Sequence, residues 1–326
     1  MSGVLIVTGR HDVTADFVVA ELDAMAVPVL RVDIADMPGK ACVTAALTNG
    51  EWVGRIESGA RSLRLDEVTG VYYRRPTRPS ITGCGSASRD RFVEKEILLG
   101  FGGLLAALPE RLWLGHPRRL LAVQNSKPWQ LTLAREAGLS VPETMVTGST
   151  RDAAAFADQV GPVAVKAFGT PAFLGPDGEE QAAYARRLTA HELRASDLAG
   201  IPHQVQRWVE ATHAVRLTVV DDQLFAAEVH FGSDATRLDW RADTNSLTYK
   251  RVEPPAVVAG GVRSLMRSLG LRFGAIDFMV DADGVWWFLE INANGQWAWV
   301  DEVAGEIARA IATALAGRPA MVGARL

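Results

Sequence analysis

The sequence predicts an α/β protein of about two domains, and three observations carry that reading. Strand-like and helix-like segments alternate over the first hundred or so of its 326 residues. Long paired strands dominate from Gln204 onward, and a glycine- and proline-rich stretch lies between the two regimes. At 48% hydrophobic and 22% charged residues, the chain has ample material for a buried core.

The elements follow in order. Gly3 to Thr8 is a short apolar strand; Asp12 or Thr14 caps a helix running to about Met25, and Pro28 to Asp33 is a second strand. Cys42 to Leu47 and Trp52 to Glu57 flank Asn49-Gly50, a hairpin turn signal. Leu63 to Leu65 and Val71 to Arg74 close this part of the sheet. A long helix from about Ala87 to Leu108 ends at Pro109, and Leu112 to Leu114 reads as another strand. From Pro117 the pattern predicts helices at 118–123 and 125–137, a strand at 143–146, a helix at 151–160 and a strand at 163–167. The loop Gly169-Thr-Pro-Ala-Phe-Leu-Gly-Pro-Asp-Gly178 follows. Strands are expected at 212–220 and 223–231, then a loop with Trp240 and Arg241, a helix at 255–269, strands at 273–281 and 285–291, and a last helix at 303–316. The tail after Arg318 reads as disordered.

Charge and composition exclude several classes. Thirty-four basic against 38 acidic residues leave a net charge of −4, without the basic surplus of a nucleic-acid binder. No apolar run approaches a membrane span, and MSGVLIVTGRHD reads as a first strand rather than a signal peptide, so a cytoplasmic protein is expected. Two cysteines, Cys42 and Cys84, stand far apart without metal-ligand spacing, which argues against a disulfide framework or structural zinc. Neither GxGxxG nor GxxxxGK[ST] follows the first strand, so a dinucleotide-binding oxidoreductase has little support. Lysine is scarce: three of only five, Lys127, Lys166 and Lys250, fall beside the motifs that carry chemistry.

Those motifs are four separated segments. They are Asn125-Ser126-Lys127 near a helix start; Val163-Ala-Val-Lys166 with the glycine-rich loop; Gln204-Val-Gln-Arg-Trp-Val-Glu210 with Arg216; and Gly274-Ala-Ile-Asp277-Phe278 with Phe288-Leu-Glu290-Ile-Asn292-Ala-Asn294-Gly-Gln296-Trp297. Asp277 and Glu290 interrupt apolar strands joined by an Asp281-Ala-Asp283-Gly284 turn, and a buried carboxylate needs a partner. Glu290 and Asn292, two residues apart on one strand, point together, so the set is either a hard-oxygen site suited to Mg²⁺ or a salt-bridge network with arginines. Lys166 inside an apolar run needs an anion, unless it snorkels from a sheet edge. Lys127 read alone is a surface charge, and the glycine-rich loop alone is either a phosphate cradle or a connection. Arg74-Arg75 before Pro76 reads as a substrate or phosphate contact or, more simply, as a solvated pair. Trp297 and Trp299 read as packing, and His213 and His230 as structural or exposed.

Taken in order, Lys, Lys with a glycine-rich loop, Arg, Asp-Phe and Glu-Ile-Asn resemble the ATP-grasp carboxylate–amine ligases over about residues 118–316. Residues 1–117 are similar to the small domain that precedes the ATP-grasp core. Val71-Tyr-Tyr-Arg74-Arg75-Pro76, Asp239-Trp240-Arg241 and Leu289-Glu-Ile-Asn-Ala-Asn-Gly-Gln-Trp-Ala-Trp299 resemble the microviridin-type peptide maturases, or graspetide synthetases. The resemblance implies an α/β (α+β) ATP-grasp fold: an N-terminal pre-ATP-grasp domain at 1–117, a central subdomain at 118–205, a C-terminal subdomain with the metal site at 206–318, and a tail at 319–326. It implies ATP and Mg²⁺ as cofactors, a ribosomal precursor peptide (leader plus acidic core) as partner, and a homodimer, with neither nucleic acid nor membrane involved. Lys127 and Lys166 would hold phosphates, Gln206 and Val209 the adenine edge, Arg216 the γ-phosphate, and Asp277, Glu290 and Asn292 the metal. The acidic residue the family often carries two or four positions before the arginine is replaced by Ala214 and Thr212, and Glu210 is expected to take over that contact. Arg241 would hold the substrate carboxylate, or else pair with Asp239 or Asp243; Arg74, Arg75 and Asp239 are further substrate candidates. The rival readings are an ATP-grasp ligase adding free amino acids to a protein terminus or small acid, and a non-catalytic nucleotide sensor.

Overall fold

In the computed structural model, residues 2–124, 126–169, 172–174, 180–182, 185–233, 236 and 246–317 are described. Asn125, most of the glycine-rich loop, the segment Asp239-Trp240-Arg241 and the expected tail after Arg318 lie outside the described residues.

β1 (Gly3–Val7) is buried at every position because both its faces are covered. It is the middle of a parallel sheet of order β2–β1–β6, flanked by β2 (Val29–Val32) and β6 (Val68–Tyr73). Between β1 and β2, α1 (Val13–Ala24) begins where the Asp12 carboxylate accepts from the Ala15 N–H. β3 (Ala41–Thr48), β4 (Glu51–Ser58) and β5 (Arg61–Arg64) form an antiparallel meander. Its first turn places Asn49 and Gly50 both at positive φ, which that dipeptide tolerates.

The sequence reading merges these strands into one sheet; the structure has two. A 3₁₀ turn at Leu65–Glu67 redirects the chain off the meander, so β6 lands beside β1. Nor is Leu112 to Leu114 a strand. After α2 (Ala87–Leu105), Pro109 starts a 3₁₀ turn at Glu110–Leu112, and Trp113 makes a single bridge to Val71.

Two helices follow, α3 (Pro117–Gln124) and α4 (Lys127–Glu136). A four-stranded antiparallel sheet of order β11–β8–β12–β7 then forms from β7 (Thr144–Thr147), β8 (Val163–Lys166), β11 (Arg186–Leu188) and β12 (His203–Arg207). β9 (Ala172–Leu174) and β10 (Glu180–Ala182) pair as a separate ribbon. α5 (Thr150–Val160), capped by Ser149, and α6 (Ala190–Arg194), closed by a Thr189/Glu192 capping box, bury Ala153, Ala157 and Leu193 against Val163, Val165 and Val205.

The largest sheet has five antiparallel strands in the order β15–β14–β13–β16–β17. They are β13 (Ala211–Val220), β14 (Gln223–His230), β15 (Thr248–Val252), β16 (Phe273–Asp281) and β17 (Trp286–Asn292). β15, which carries Lys250, is a strand the sequence reading lacks. On one face Val215, Leu217, Val219, Ile276 and Phe278 pack with residues of α4 and α7 (Ala256–Leu269). On the other, Val220, Ala227 and Phe273 share a core with α1, Ile6 and Tyr72 through α8 (Asp301–Ala316). Close approach of that helix needs Gly70: a Cβ there would sit 2.4 Å from the Leu315 carbonyl oxygen. Cys42 and Cys84 are both free thiols. No described helix is long and apolar enough to cross a membrane.

Candidate active site

Strand register assembles the first cluster. Arg216 on β13 pairs with Asp277 on β16, which pairs with Glu290 on β17, so the three lie in one row across three strands. Regular alternation alone would not deliver Glu290 to that row. Phe278 pairs with Phe288 while Asp277 pairs with Glu290, which leaves Leu289 as an extra residue, a bulge. Before the bulge, Trp286 and Phe288 are buried; after it the buried position is Ile291, and Glu290 and Asn292 turn to the face of Asp277. One inserted residue thus changes the face that β17 presents.

Within the row, Arg216 Nη1 donates to Asp277 Oδ1 at 2.6 Å and Nη2 to the Gln296 main-chain carbonyl at 2.7 Å. The arginine side chain is 6% exposed, and its Nε is buried without a hydrogen-bond partner among the described residues. The Trp299 ring lies 5.9 Å from the guanidinium carbon, and its indole N–H donates to the same Gln296 carbonyl at 3.3 Å. Asn292 Nδ2 spans the carboxylates, 3.4 Å from Asp277 Oδ2 and 3.3 Å from Glu290 Oε1. Lys127 Nζ reaches Glu290 Oε2 at 3.1 Å. Two cations and two carboxylates therefore converge with one amide between them. Turning that amide about its terminal bond sets Oδ1 in place of Nδ2 between the two carboxylates, and two carboxylates with an amide oxygen are a hard donor set of the kind a magnesium ion takes.

Lys127 owes its place to a residue that sequence reasoning missed. Gln130, one turn along α4 and 2% exposed, accepts from Ile291 N–H at 3.0 Å and donates to the carbonyls of Ile291 (3.1 Å) and Val123 (2.8 Å). Its amide mimics a neighbouring strand and ties α4 to β17. The available signal was a glutamine on the helix face that also carries Leu131 and Ala134. Gly295 was missed too: a Cβ there would meet Ala275 Cβ at 2.6 Å and Arg216 Nη2 at 2.8 Å.

The second group stands on the four-stranded sheet. Lys166 ends β8 opposite Gln204, and its Nζ is 3.3 Å from Gln206 Oε1, whose Nε2 donates to Thr144 at 2.9 Å. Gln204 Oε1 is buried without a partner among the described residues. Val209 is buried in the link to β13. Glu210 is exposed and paired with Arg187 at 3.1 Å, so in this structure its carboxylate serves a surface ion pair.

Arg74 and Arg75 are not a solvated pair. The Arg74 side chain is fully buried, donating from Nε to Asp12 at 2.6 Å and from Nη2 to Gln296 Oε1, while its carbonyl accepts from Asn294 Nδ2. Arg75 is exposed. Asp239 and Arg241 lie outside the described residues. Trp297 is buried, edge-on to Phe17 and 3.4 Å from the Tyr72 hydroxyl. His213 and His230 stack 5.4 Å apart beside Glu228, and burial lowers the His213 pKa. Lys250 Nζ lies 4.0 Å from Glu228 with its side chain 72% exposed, which marks a surface charge.

Residues 3–120 match the family profile of the MvdD pre-ATP grasp domain. Over 97% of this chain and 96% of the other, the fold is similar to a RiPP-associated ATP-grasp ligase of Chryseobacterium gregarium, solved with ADP and a leader and core peptide (TM-score 0.84, 26% identity). It is also similar to the macrocyclase MdnC of Microcystis aeruginosa MRC, solved with its precursor peptide MdnA (TM-score 0.81, 27% identity, 96% and 99% covered). The fold of MdnB from the same organism matches at TM-score 0.75 with 24% identity over 97% and 99%. No curated protein matches the chain by sequence.

Proposed function

We infer that this chain is an ATP-grasp ligase of the RiPP-associated, graspetide-forming kind, which uses ATP to join Asp or Glu side chains of a ribosomal precursor peptide to Ser, Thr or Lys side chains of the same peptide. The observation that carries the reading is the row Arg216–Asp277–Glu290, with Asn292 and Lys127 closing on it, in a chain that superposes end to end on such ligases.

A carboxylate is a poor acyl donor because oxide is a bad leaving group. Transfer of the γ-phosphoryl group breaks its bond to ADP and makes an acylphosphate. Attack by a hydroxyl or amine then forms the ester or amide, phosphate departs with the C–O electron pair, and the nucleophile loses its proton. Each crosslink removes one water from the peptide. The protein's part in such transfers is positioning and charge neutralisation. Lys127 and Lys166 hold phosphate oxygens, Arg216 takes the charge on the transferring group, and Gln206 and Val209 border the base. Asp277, Glu290 and Asn292 would hold magnesium, which would neutralise phosphate charge. In the structure Lys127 neutralises Glu290 and Arg216 neutralises Asp277. Arg241 and Asp239 belong to the substrate side of the site.

On this reading residues 1–117 are the pre-ATP-grasp domain, 118–205 and 206–318 the two halves that clasp the nucleotide, and the chain works as a cytoplasmic homodimer. Light scattering on the purified chain tests the dimer. The enzymatic reading is tested by following ADP release with an acidic Ser/Thr-containing peptide, ATP and Mg²⁺. Peptide-stimulated release that disappears in Glu290→Gln supports it. Release only on adding free amino acids moves the chain to amino-acid ligation, and no release under any condition makes it a sensor.

A further inference from the structure

A cavity of about 700 Å³ opens on the N-terminal sheet, away from the strands that carry Arg216, Asp277 and Glu290. Three of its walls are the loops leaving the carboxyl ends of β1, β2 and β6. In the order β2–β1–β6 the chain leaves β1 to one side and returns to the other, so the cavity is the crevice at a topological switch point, where open parallel sheets bind their ligands. The fourth wall is Gln296, whose main-chain carbonyl holds Arg216. One residue therefore separates this cavity from the reacting row.

The chemistry of the lining is selective. Its carboxylates are committed: Asp12 to Thr8 and Arg74 (both 2.6 Å), Asp33 to the Thr77 N–H and hydroxyl (2.9 and 2.8 Å), Asp36 to Arg10 Nε (2.8 Å). Gln296 Oε1 accepts from Thr14 at 2.9 Å and from Arg74, which fixes its amide and leaves the Nε2 donors over. Arg75 is exposed at the rim, and among the described residues no carboxylate pairs with it. Partial desolvation of its head group, and then the like charge of Arg74, hold its pKa below the ordinary arginine value, with Asp12 pulling the other way.

We propose that this cavity is a second carboxylate subsite for the peptide, in which Arg75 and the Gln296 amide hold an acidic side chain neighbouring the one activated beside Arg216. The proposal rests on the peptide-ligase reading above and assigns that substrate a requirement for a second acidic residue. The volume suits a few residues of extended peptide rather than one small ion, and a guanidinium fork plus an amide matches a carboxylate.

The test uses the full chain with ADP and Mg²⁺, a fluorescein-labelled decapeptide alternating Thr and Glu, and its Thr/Gln counterpart, read by fluorescence anisotropy. Arg75→Gln should weaken the Glu peptide by about ten-fold or more, and Arg75→Lys should recover part of the loss. Ala35→Phe, which fills the cavity without touching a charge, should weaken it as well. The Gln peptide should bind wild type and Arg75→Gln alike. Equal affinity of the Glu peptide for wild type and Arg75→Gln, or an equal loss with both peptides, overturns the subsite. Displacement of the Glu peptide from wild type by millimolar inorganic phosphate, absent in Arg75→Gln, reassigns the cavity to a free anion and also overturns it. Steady-state ADP release in the same variants keeps the two readings apart. Arg75→Gln should raise the peptide KM with kcat held, whereas a fall in kcat at constant KM would place Arg75 in the chemistry instead. Arg75-dependent binding without ADP release from any peptide supports the subsite and sinks the ligase.

Discussion

Arg216 is held at three points, by Asp277, by the Gln296 carbonyl and by the Trp299 ring, and its planar, forked guanidinium meets all three at once, which a lysine ammonium cannot. Arg216→Lys keeps the charge but cannot bridge Asp277 and Gln296 together, so peptide-dependent ADP release should fall by roughly 10²–10³, as for loss of one preorganised donor. Circular dichroism should be unchanged. Gly295→Ala tests the same point from the backbone side: its methyl occupies the space of Arg216 Nη2, and turnover should drop steeply while nucleotide affinity changes less. A Gly295→Ala enzyme with wild-type turnover would show that Arg216 is not poised by this contact. The acidic residues and Arg216 were legible in the sequence because charges inside apolar strands stand out. Gln130, Gly295 and Gln296 were not, since their roles depend on which backbone atoms the fold brings near them. Arg74 was misread as solvated because sequence cannot show that Asp12, 62 residues away, is its partner.

At the scale of elements, the bulge at Leu289 absorbs the one residue that would otherwise put Glu290 on the wrong face, and the Gln130 tie holds α4 on β17. Deleting Leu289 joins Phe288 directly to Glu290 in plain alternation and leaves Glu290 opposite Asp277, so the variant should keep the row and keep peptide-dependent ADP release. Gln130→Leu keeps the volume but leaves the Ile291 N–H and carbonyl unpaired in the interior. It should cost about 1–3 kcal/mol in urea unfolding, together with a raised KM for ATP as Lys127 loses its anchor. An unchanged KM would detach Lys127 from the nucleotide. Hydrophobic periodicity and turn residues made the long strands and helices readable to within a few residues. The split of the N-terminal strands into two sheets was not readable, because a three-residue 3₁₀ turn decides it. β11, α6 and β15 were too short to declare a period.

For the whole molecule, the shared core around α8 is the decisive feature. Ile307, Ile311 and Leu315 are buried in one cluster with Val4, Ile6 and Leu22 from the chain's start and Val220, Phe225 and Ala227 from the large sheet. The first and last thirds of the sequence are therefore expected to unfold together. Ile311→Ala should lower stability by about 2–5 kcal/mol, with circular dichroism and tryptophan fluorescence reporting one coincident transition. Separate transitions would mean that the N-terminal sheet is stable without the helix. The same joint brings the switch-point cavity up to Gln296, and through it to Arg216. The most direct test is the intact mass of an acidic Ser/Thr-containing peptide after incubation with the enzyme, ATP and Mg²⁺. Loss of whole water masses, matched by ADP and absent with Glu290→Gln, is the expected result. An unchanged peptide mass while ATP is consumed would contradict it.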